Sequence, residues 1–104
     1  MANDFKNAIA QNASTSGTVI YTTPATKTSI MLELDIANTT QNVVEGSVEV
    51  LDSSVSSTAW RYLVKNAPVP SGGSLMVIAG QKIVLEAGDK VRVTASAANV
   101  LDVV

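Results

Sequence analysis

Hydrophobic and polar residues alternate one by one along several short stretches of this chain. The clearest stretch places an aliphatic residue at every second position, at Ile30, Leu32, Leu34 and Ile36. Because successive side chains of a β-strand point to opposite faces, a period of two predicts a strand with one face in a core. Residues 44–50 and 90–95 show the same alternation, so strands are predicted there as well.

Shorter runs rich in β-branched residues complete the pattern. They cover residues 18–22, 58–65, 74–78, 82–86 and 100–104. Polar turn sequences separate the runs, and Gly88 stands where a hairpin with a bulge needs a positive φ. Pro68 and Pro70 lack backbone donors and exclude a central strand around them. The chain therefore predicts an all-β fold, an antiparallel β-sandwich of about eight short strands with a jelly-roll-like arrangement.

The inward positions of these runs define a predicted core. Its members are Val19, Tyr21, Ile30, Leu32, Leu34, Ile36, Val44, Val48, Val50, Leu63, Leu75, Val77, Ile83, Leu85, Val91 and Val93. Residues 1–16 do not share the pattern, since Phe5 and Ile9 fit helical and strand spacing equally well. We predict that residues 1–16 form an N-terminal arm and that residues 17–104 form a single sandwich domain.

Charge and composition narrow the classes of function. Only 15% of the 104 residues are charged and the net charge is −2, so no basic patch predicts binding to nucleic acid or to anionic lipid. No stretch has the length of an apolar membrane span, and the first residues do not resemble a signal peptide. We therefore expect synthesis in a cytoplasm and a surface rich in Ser, Thr and Asn that suits close packing against neighbours.

Catalytic chemistry finds little support in the sequence. The chain has neither Cys nor His, which removes thiolate metal sites and the commonest general base. Serine-nucleophile and phosphate-loop motifs are also missing. Two carboxylate pairs remain, Glu33 with Asp35 and Glu45 with Glu49, and their spacing predicts solvated outer strand faces rather than a calcium or glycosidase site. We expect no enzyme, no metal, no cofactor and no small-molecule substrate.

One aromatic cluster stands out, formed by Trp60, Arg61 and Tyr62. Trp, Tyr and Arg are the residues that dominate binding energy at protein interfaces, so the cluster is a candidate interface. A second interpretation places Trp60 in the sandwich core, and the sequence leaves both open. In the arm, Phe5 and Ile9 are the apolar residues that a neighbouring protein would contact.

An ordered series of motifs extends along the chain. Its parts are ANDFK at residues 2–6, TVIYTTPATKT at 18–28, LELDIAN at 32–38, LVKNAPVPSGGSL at 63–75 and KIVLEAGDKV at 82–91. Taken together, the series resembles a family of small virion structural proteins of tailed phages, many of them aquatic phages. The resemblance covers the whole chain, although each motif alone has little specificity.

The resemblance implies a passive role in a virus particle. It implies a capsid decoration or cement protein in the virion, made in the host cytoplasm, which contacts the major capsid protein or other virion proteins and forms homo-oligomers. A neck, collar or tail component is the first alternative. A carbohydrate-binding β-sandwich is the second, with Trp60, Tyr62 and Tyr21 as its possible aromatic platform.

Overall fold

Two antiparallel sheets form the fold. The computed structural model describes residues 8–11, 13–56, 58–97 and 100–104. The strands are β1 (Thr18–Thr22), β2 (Ser29–Asn38), β3 (Val44–Leu51), β4 (Trp60–Val69), β5 (Ser74–Leu85), β6 (Lys90–Ala95) and β7 (Leu101–Val103). They are arranged in the order β1-β6-β3-β4 in one sheet and β5-β2-β7 in the other. The predicted all-β antiparallel sandwich is confirmed, and no helix of the described residues is long and apolar enough to span a membrane.

The strand boundaries differ from the predicted runs in two places. The runs at 74–78 and 82–86 join into the single strand β5, so the described residues form seven strands and one isolated bridge between Ala10 and Val103. Strand β4 continues through Pro68, which pairs with Glu45. A proline is tolerated there because β4 is an edge strand, where a backbone N–H that points away from the sheet has no partner strand to donate to.

The connections pass mostly between the sheets. Only β3 and β4 are consecutive strands of the same sheet, and the other five connections cross from one sheet to the other. Gly88 has the predicted positive φ, 85°, in the β5–β6 connection, but the predicted hairpin is wrong, because β5 and β6 lie in different sheets and do not pair. The jelly-roll-like arrangement stays a prediction, while the crossings tie the two sheets together at both ends.

The core lies between the two sheets. Seven predicted core residues are buried: Leu34, Ile36, Val44, Val48, Leu85, Val91 and Val93. Five more are partly buried and pack against that core: Tyr21, Val50, Leu75, Val77 and Ile83. Alternation therefore located most of the core, because a strand in regular register keeps every second side chain on one face.

Ile30 and Leu32 were wrongly predicted as core residues. They are 56% and 50% exposed, and Met31 packs against the core in their place. The cause is a break in the ladder, where Met31 pairs with Ile83 but Glu33 pairs with Ala79. A bulge of this kind exchanges the two faces of a strand, so the alternation before it has the opposite phase to the alternation after it.

Val19 and Leu63 were also wrongly predicted as core residues, because a register shift reverses the alternation in their strands too. Val19 is 48% exposed and Leu63 is 37% exposed. The β1–β6 register shifts between Val19 and Tyr21, and Leu63 is an extra residue between the paired positions Tyr62 and Val64. Both strands are sheet edges, where bulges are common.

Part of the predicted arm packs against β7. Ala13 is fully buried in the core cluster, and its backbone N–H donates to the carbonyl oxygen of Leu101 at 2.8 Å. Ala10 and Val103 exchange two backbone hydrogen bonds of 3.0 and 2.8 Å. Residues 1–7 lie outside the described residues, so the choice between helix and strand for the arm stays open, and its boundary at residue 16 stays a prediction.

Candidate interaction surface

Trp60 and Tyr62 lie on the outer face of the four-stranded sheet. In β3, Val48 belongs to the core, so its neighbour Glu49 faces outward. Tyr62 stands opposite Glu49 in the β3–β4 ladder, and Trp60 is two residues away on the same face of β4. Trp60 is only partly buried and does not belong to the core cluster. The structure therefore does not place Trp60 in the core.

Arg92 connects this aromatic pair to the middle of the sheet. It faces outward from β6, between the fully buried residues Val91 and Val93. Its guanidinium carbon lies 4.0 Å from the centroid of the Trp60 ring, within range of a cation–π interaction. Since β3 separates β6 from β4, the Arg92 side chain extends across the central strand to reach the tryptophan.

Glu49 holds Arg92 in that position with two hydrogen bonds. Arg92 Nε donates to Glu49 Oε1 at 2.9 Å, and Nη2 donates to Oε2 at 3.0 Å. The Glu49 side chain is 7% exposed and the Arg92 side chain 29%. The hydrogen bond to Glu49 raises the pKa of Arg92, outweighing the opposing effect of burial, with smaller contributions from the charges of Glu49 and Tyr62. The Arg92 guanidinium of this bidentate pair is therefore held in its charged form.

A buried leucine and a glycine support the Trp60 ring and the ion pair between Glu49 and Arg92. Leu51, directly opposite Trp60 in the ladder, is 4% exposed although it lies outside the core cluster. Gly17 has a φ of 101°, and a Cβ atom there would lie 3.2 Å from Arg92 Cδ. Glycine at this position thus leaves room for the stem of Arg92 as well as adopting the left-handed backbone.

Tyr62 extends the surface toward the sheet edge. Tyr62 is 52% exposed, and Lys65 Nζ lies 5.3 Å from the centroid of its ring. We call this outer-face group, composed of Trp60, Tyr62, Glu49 and Arg92, the Trp60 surface. Arg61 stands opposite Val50, which packs against the core, so Arg61 belongs to the other face of β4, where it is exposed and its Nη1 donates to the backbone oxygen of Trp60 at 2.9 Å.

The candidate residues of the arm are not part of the Trp60 surface. Ile9 is 75% exposed and precedes Ala10, which bridges to β7 in the other sheet. Phe5 lies outside the described residues. The structure therefore brings Trp60 and Tyr62 together on one face of β4, and it places Arg61 on the other face and Ile9 elsewhere.

Sequence reasoning missed Glu49 and Arg92. Glu45 is exposed as predicted, but the prediction of a solvated face was wrong for Glu49, which is 6% exposed. The alternation in the two runs indicates that Glu49 and Arg92 both face outward, and this is the signal from which they could have been identified as surface residues. Their contact depends on the register between β3 and β6, across 43 residues of sequence, and local patterns do not specify that register.

A second polar cluster lies at one end of the sandwich. Asp52, Glu86 and Asp89 bring their carboxylates within 4.8 Å of one another. Such oxygens can hold a hard cation, but both oxygens of Asp89 already accept hydrogen bonds. Oδ1 accepts from the Ser53 backbone N–H at 3.0 Å and from its hydroxyl at 2.9 Å, and Oδ2 accepts from the Glu86 N–H at 2.9 Å.

These hydrogen bonds determine the charge state of Asp89. Burial alone would raise the pKa of Asp89, which is 5% exposed. The backbone N–H groups of Ser53 and Glu86 and the Ser53 hydroxyl outweigh burial, so the pKa is lowered below its ordinary value of 3.8. Asp89 thus ties the loop after β3 to the β5–β6 connection as an ionised acceptor.

The Trp60 surface carries groups suited to the recognition of a partner. Aromatic rings and a guanidinium group are the types of side chain that are enriched at protein interfaces. Comparisons of the chain with known protein families, curated proteins and solved structures find no match.

Proposed function

We propose that the protein is a non-enzymatic structural component of a tailed-phage virion, a capsid decoration or cement protein that bridges major capsid subunits. The observation that carries the proposal is the Trp60 surface, where Trp, Tyr and Arg side chains lie together on an outer sheet face. Residues of these types concentrate the binding energy of protein interfaces. The resemblance of the motif series to virion structural proteins supports the same conclusion.

The mechanism is passive and depends on a surface that is ordered before binding. Arg92 is fixed by Glu49 and lies against Trp60, so little side-chain entropy remains to be lost when a partner covers them. Each copy buries surface against neighbouring shell subunits, and rupture of the shell must then break these contacts as well. The assembled shell is stabilised by mass action, as any state is when a ligand binds it selectively.

The first test is the copy number in purified virions, measured by quantitative mass spectrometry against the major capsid protein. A ratio near unity, or a simple fraction set by the lattice symmetry, is the expected result for decoration. A handful of copies per particle would indicate that the protein is a component of the neck, collar or tail. Complete absence from virions would refute the proposal.

The second test is the binding of Trp60→Ala to shells that lack this protein. We expect the variant to remain folded, since Trp60 lies outside the core, and to bind at least about thirtyfold more weakly, as for a hot-spot residue. Val55→Ala is the matched control, because Val55 is 69% exposed in the loop after β3. Equal binding by both variants would remove the Trp60 surface from the interface.

A carbohydrate-binding module is the second candidate, because Trp60 and Tyr62 lie on the same strand face. Sugar stacking needs a free ring face, however, and each ring already has a cation nearby, Arg92 at 4.0 Å and Lys65 at 5.3 Å. Titration with a panel of saccharides, followed by the NMR signal of the Trp60 indole N–H, separates the candidates. A saturable shift with one sugar would favour the module over decoration.

A further inference from the structure

The Trp60 surface presents hydrogen-bond donors that have no acceptor within the described part of the chain. A guanidinium carries its N–H groups on two usable edges, and Glu49 occupies the edge formed by Nε and Nη2 of Arg92. Arg92 Nη1 and Trp60 Nε1 make no hydrogen bond with the described residues, and both atoms reach solvent. The second edge of the guanidinium, formed by Nη1 and the remaining N–H of Nη2, has the geometry that binds a carboxylate at two points.

A second cation lies beside the aromatic pair. Lys65 is exposed and faces outward, because Val64 before it packs against the core. Arg92 lies against the Trp60 ring and Lys65 over the Tyr62 ring, and the two rings are two residues apart in β4. Two residues of a strand span about 7 Å, which is also the spacing between alternate side chains of an extended peptide.

The charge of this sheet face is opposite in sign to that of the whole chain. Its outward cations in the described strands are Lys65, Lys90 and Arg92, and its outward acids are Glu45 and Glu49. Three cations and two acids leave an excess of one positive charge, whereas the chain has a net charge of −2. Glu45 lies four residues from Glu49 in β3, about 13 Å along the strand, so the face is most positive beside the aromatic pair.

We propose that the partner of the Trp60 surface is an extended acidic segment of a protein, with carboxylates at alternate positions. One carboxylate accepts hydrogen bonds from the second edge of the Arg92 guanidinium, and the other pairs with Lys65. The negative chain as a whole disfavours a long polyanion such as nucleic acid. The inference rests on the proposed function, since it states the chemistry of the shell protein that the Trp60 surface would contact.

Titration of the purified full chain with the peptide acetyl-Glu-Thr-Glu-amide tests this chemistry without a virion. The indole N–H signal of Trp60, the single tryptophan of the chain, is followed by NMR. A saturable shift is expected, with a dissociation constant of about 1–10 mM that rises with added NaCl. The uncharged twin acetyl-Gln-Thr-Gln-amide is expected to give no saturable shift.

Variants of the two cations test the residues. Lys65→Glu leaves the pair between Glu49 and Arg92 in place and is expected to weaken binding of the acidic peptide about fivefold to tenfold. Lys82→Glu is the matched control, because Lys82 is exposed in the other sheet and the change in net charge is the same. Arg92→Lys keeps the charge but lacks the second edge, so it is also expected to weaken binding. Thermal unfolding checks that each variant is folded.

Three results would overturn the acidic partner. The first is the absence of a shift with the acidic peptide, or an equal shift with its uncharged twin. The second is equal binding by Lys65→Glu and Lys82→Glu. The third is a single-stranded oligonucleotide of the same charge that binds more tightly than the peptide, which would favour a phosphate backbone. Absence of the protein from virions would refute the proposed function and leave the peptide results unchanged, so the two failures are distinguishable.

Discussion

Arg92 contacts two groups at once, a carboxylate and an aromatic ring, and this explains its effect on the surrounding surface. Its guanidinium pairs with a carboxylate that is almost fully buried and lies against the Trp60 ring. A buried carboxylate without its cation carries a desolvation cost that nothing offsets. The ion pair is therefore structural as well as a component of the binding surface, and Trp60 depends on it for its position.

Arg92→Ala is expected to destabilise the fold by about 1–3 kcal/mol, less than for a fully buried pair because Arg92 is 29% exposed. Arg92→Lys keeps the charge but loses the planar two-point hydrogen bond, so a smaller loss is expected. Urea unfolding measures both. In the background of Glu49→Gln the effect of Arg92→Ala should shrink, and an unchanged effect would show that Glu49 is not the partner that matters.

Asp89→Asn is expected to cost about 1–3 kcal/mol, because an amide cannot accept at both oxygens and its NH₂ group would face a backbone donor. The control is Asp52→Asn, since Asp52 is more exposed and its carboxylate accepts hydrogen bonds from Ser54 in its own loop. Its expected loss is smaller. Equal losses for the two variants would contradict the tying role of Asp89.

The pH dependence of stability follows from the lowered pKa of Asp89. Its folded pKa lies below the ordinary value of 3.8, so the folded chain binds fewer protons than the unfolded chain in this range. The contribution of ionised Asp89 to stability is therefore complete at pH values above the pKa of Asp89 in the unfolded chain. It is lost as the pH falls through the pKa of Asp89 in the folded chain. Unfolding measured between about pH 2 and 6 should show a weaker acid loss in Asp89→Asn than in the unchanged chain.

At the scale of single strands, the bulges decide which side chains are buried. In β2 the alternation reverses at the register break between Met31 and Glu33, so Leu32 faces outward while Leu34 faces the core. A sequence pattern shows that apolar and polar residues alternate along a strand, but it does not show at which residue a bulge interrupts the pairing with the neighbouring strand. The same strand therefore offers a direct comparison of two leucines.

Leu34→Ala is expected to cost about 2–5 kcal/mol, because Leu34 is 3% exposed and its loss leaves a cavity. Leu32→Ala, the same change two residues earlier, is expected to cost less than about 1 kcal/mol. Urea unfolding gives both values. Similar losses for the two variants would show that the phase of β2 is not reversed.

Sequence patterns predicted the positions of the strands better than they predicted the contacts of the Trp60 surface. The sequence pattern located the bounds of β1, β3 and β6 closely, and the faces of β3 and β6 keep one phase, whereas β1 changes phase between Val19 and Tyr21. It also indicated that Trp60 and Tyr62 share a face. It left the position of Trp60 open and missed its contact with Arg92, because strand order and register are set by pairings between distant segments.

At the scale of the molecule, the topology joins segments that are far apart along the chain. β1 pairs with β6, β2 pairs with both β5 and β7, and β3 pairs with β6. Each such pairing must close a long loop before its contacts form, which costs chain entropy. Among the described strands, β3 and β4 form the one local hairpin, which is the natural place for folding to begin.

Folding is therefore expected to be slow for a chain of this size, with a time constant between about a millisecond and a few seconds. Stopped-flow dilution from urea, followed by Trp60 fluorescence, measures the rate. Substitutions in β3 and β4 should slow folding, whereas those in β7 should mainly speed unfolding. Folding in microseconds, or the reverse distribution of effects, would contradict this order.

The Ala10–Val103 bridge gives the molecule a defined response to mechanical load. Because the bridge is antiparallel, the chain before Ala10 and the chain after Val103 leave it in the same direction. Tension between the two ends would peel the arm from β7 one hydrogen bond at a time, as a zipper opens, rather than shear several bonds together. The arm would yield at low force and lengthen the molecule, while the ladders of β2 with β5 and β3 with β6 would still be intact.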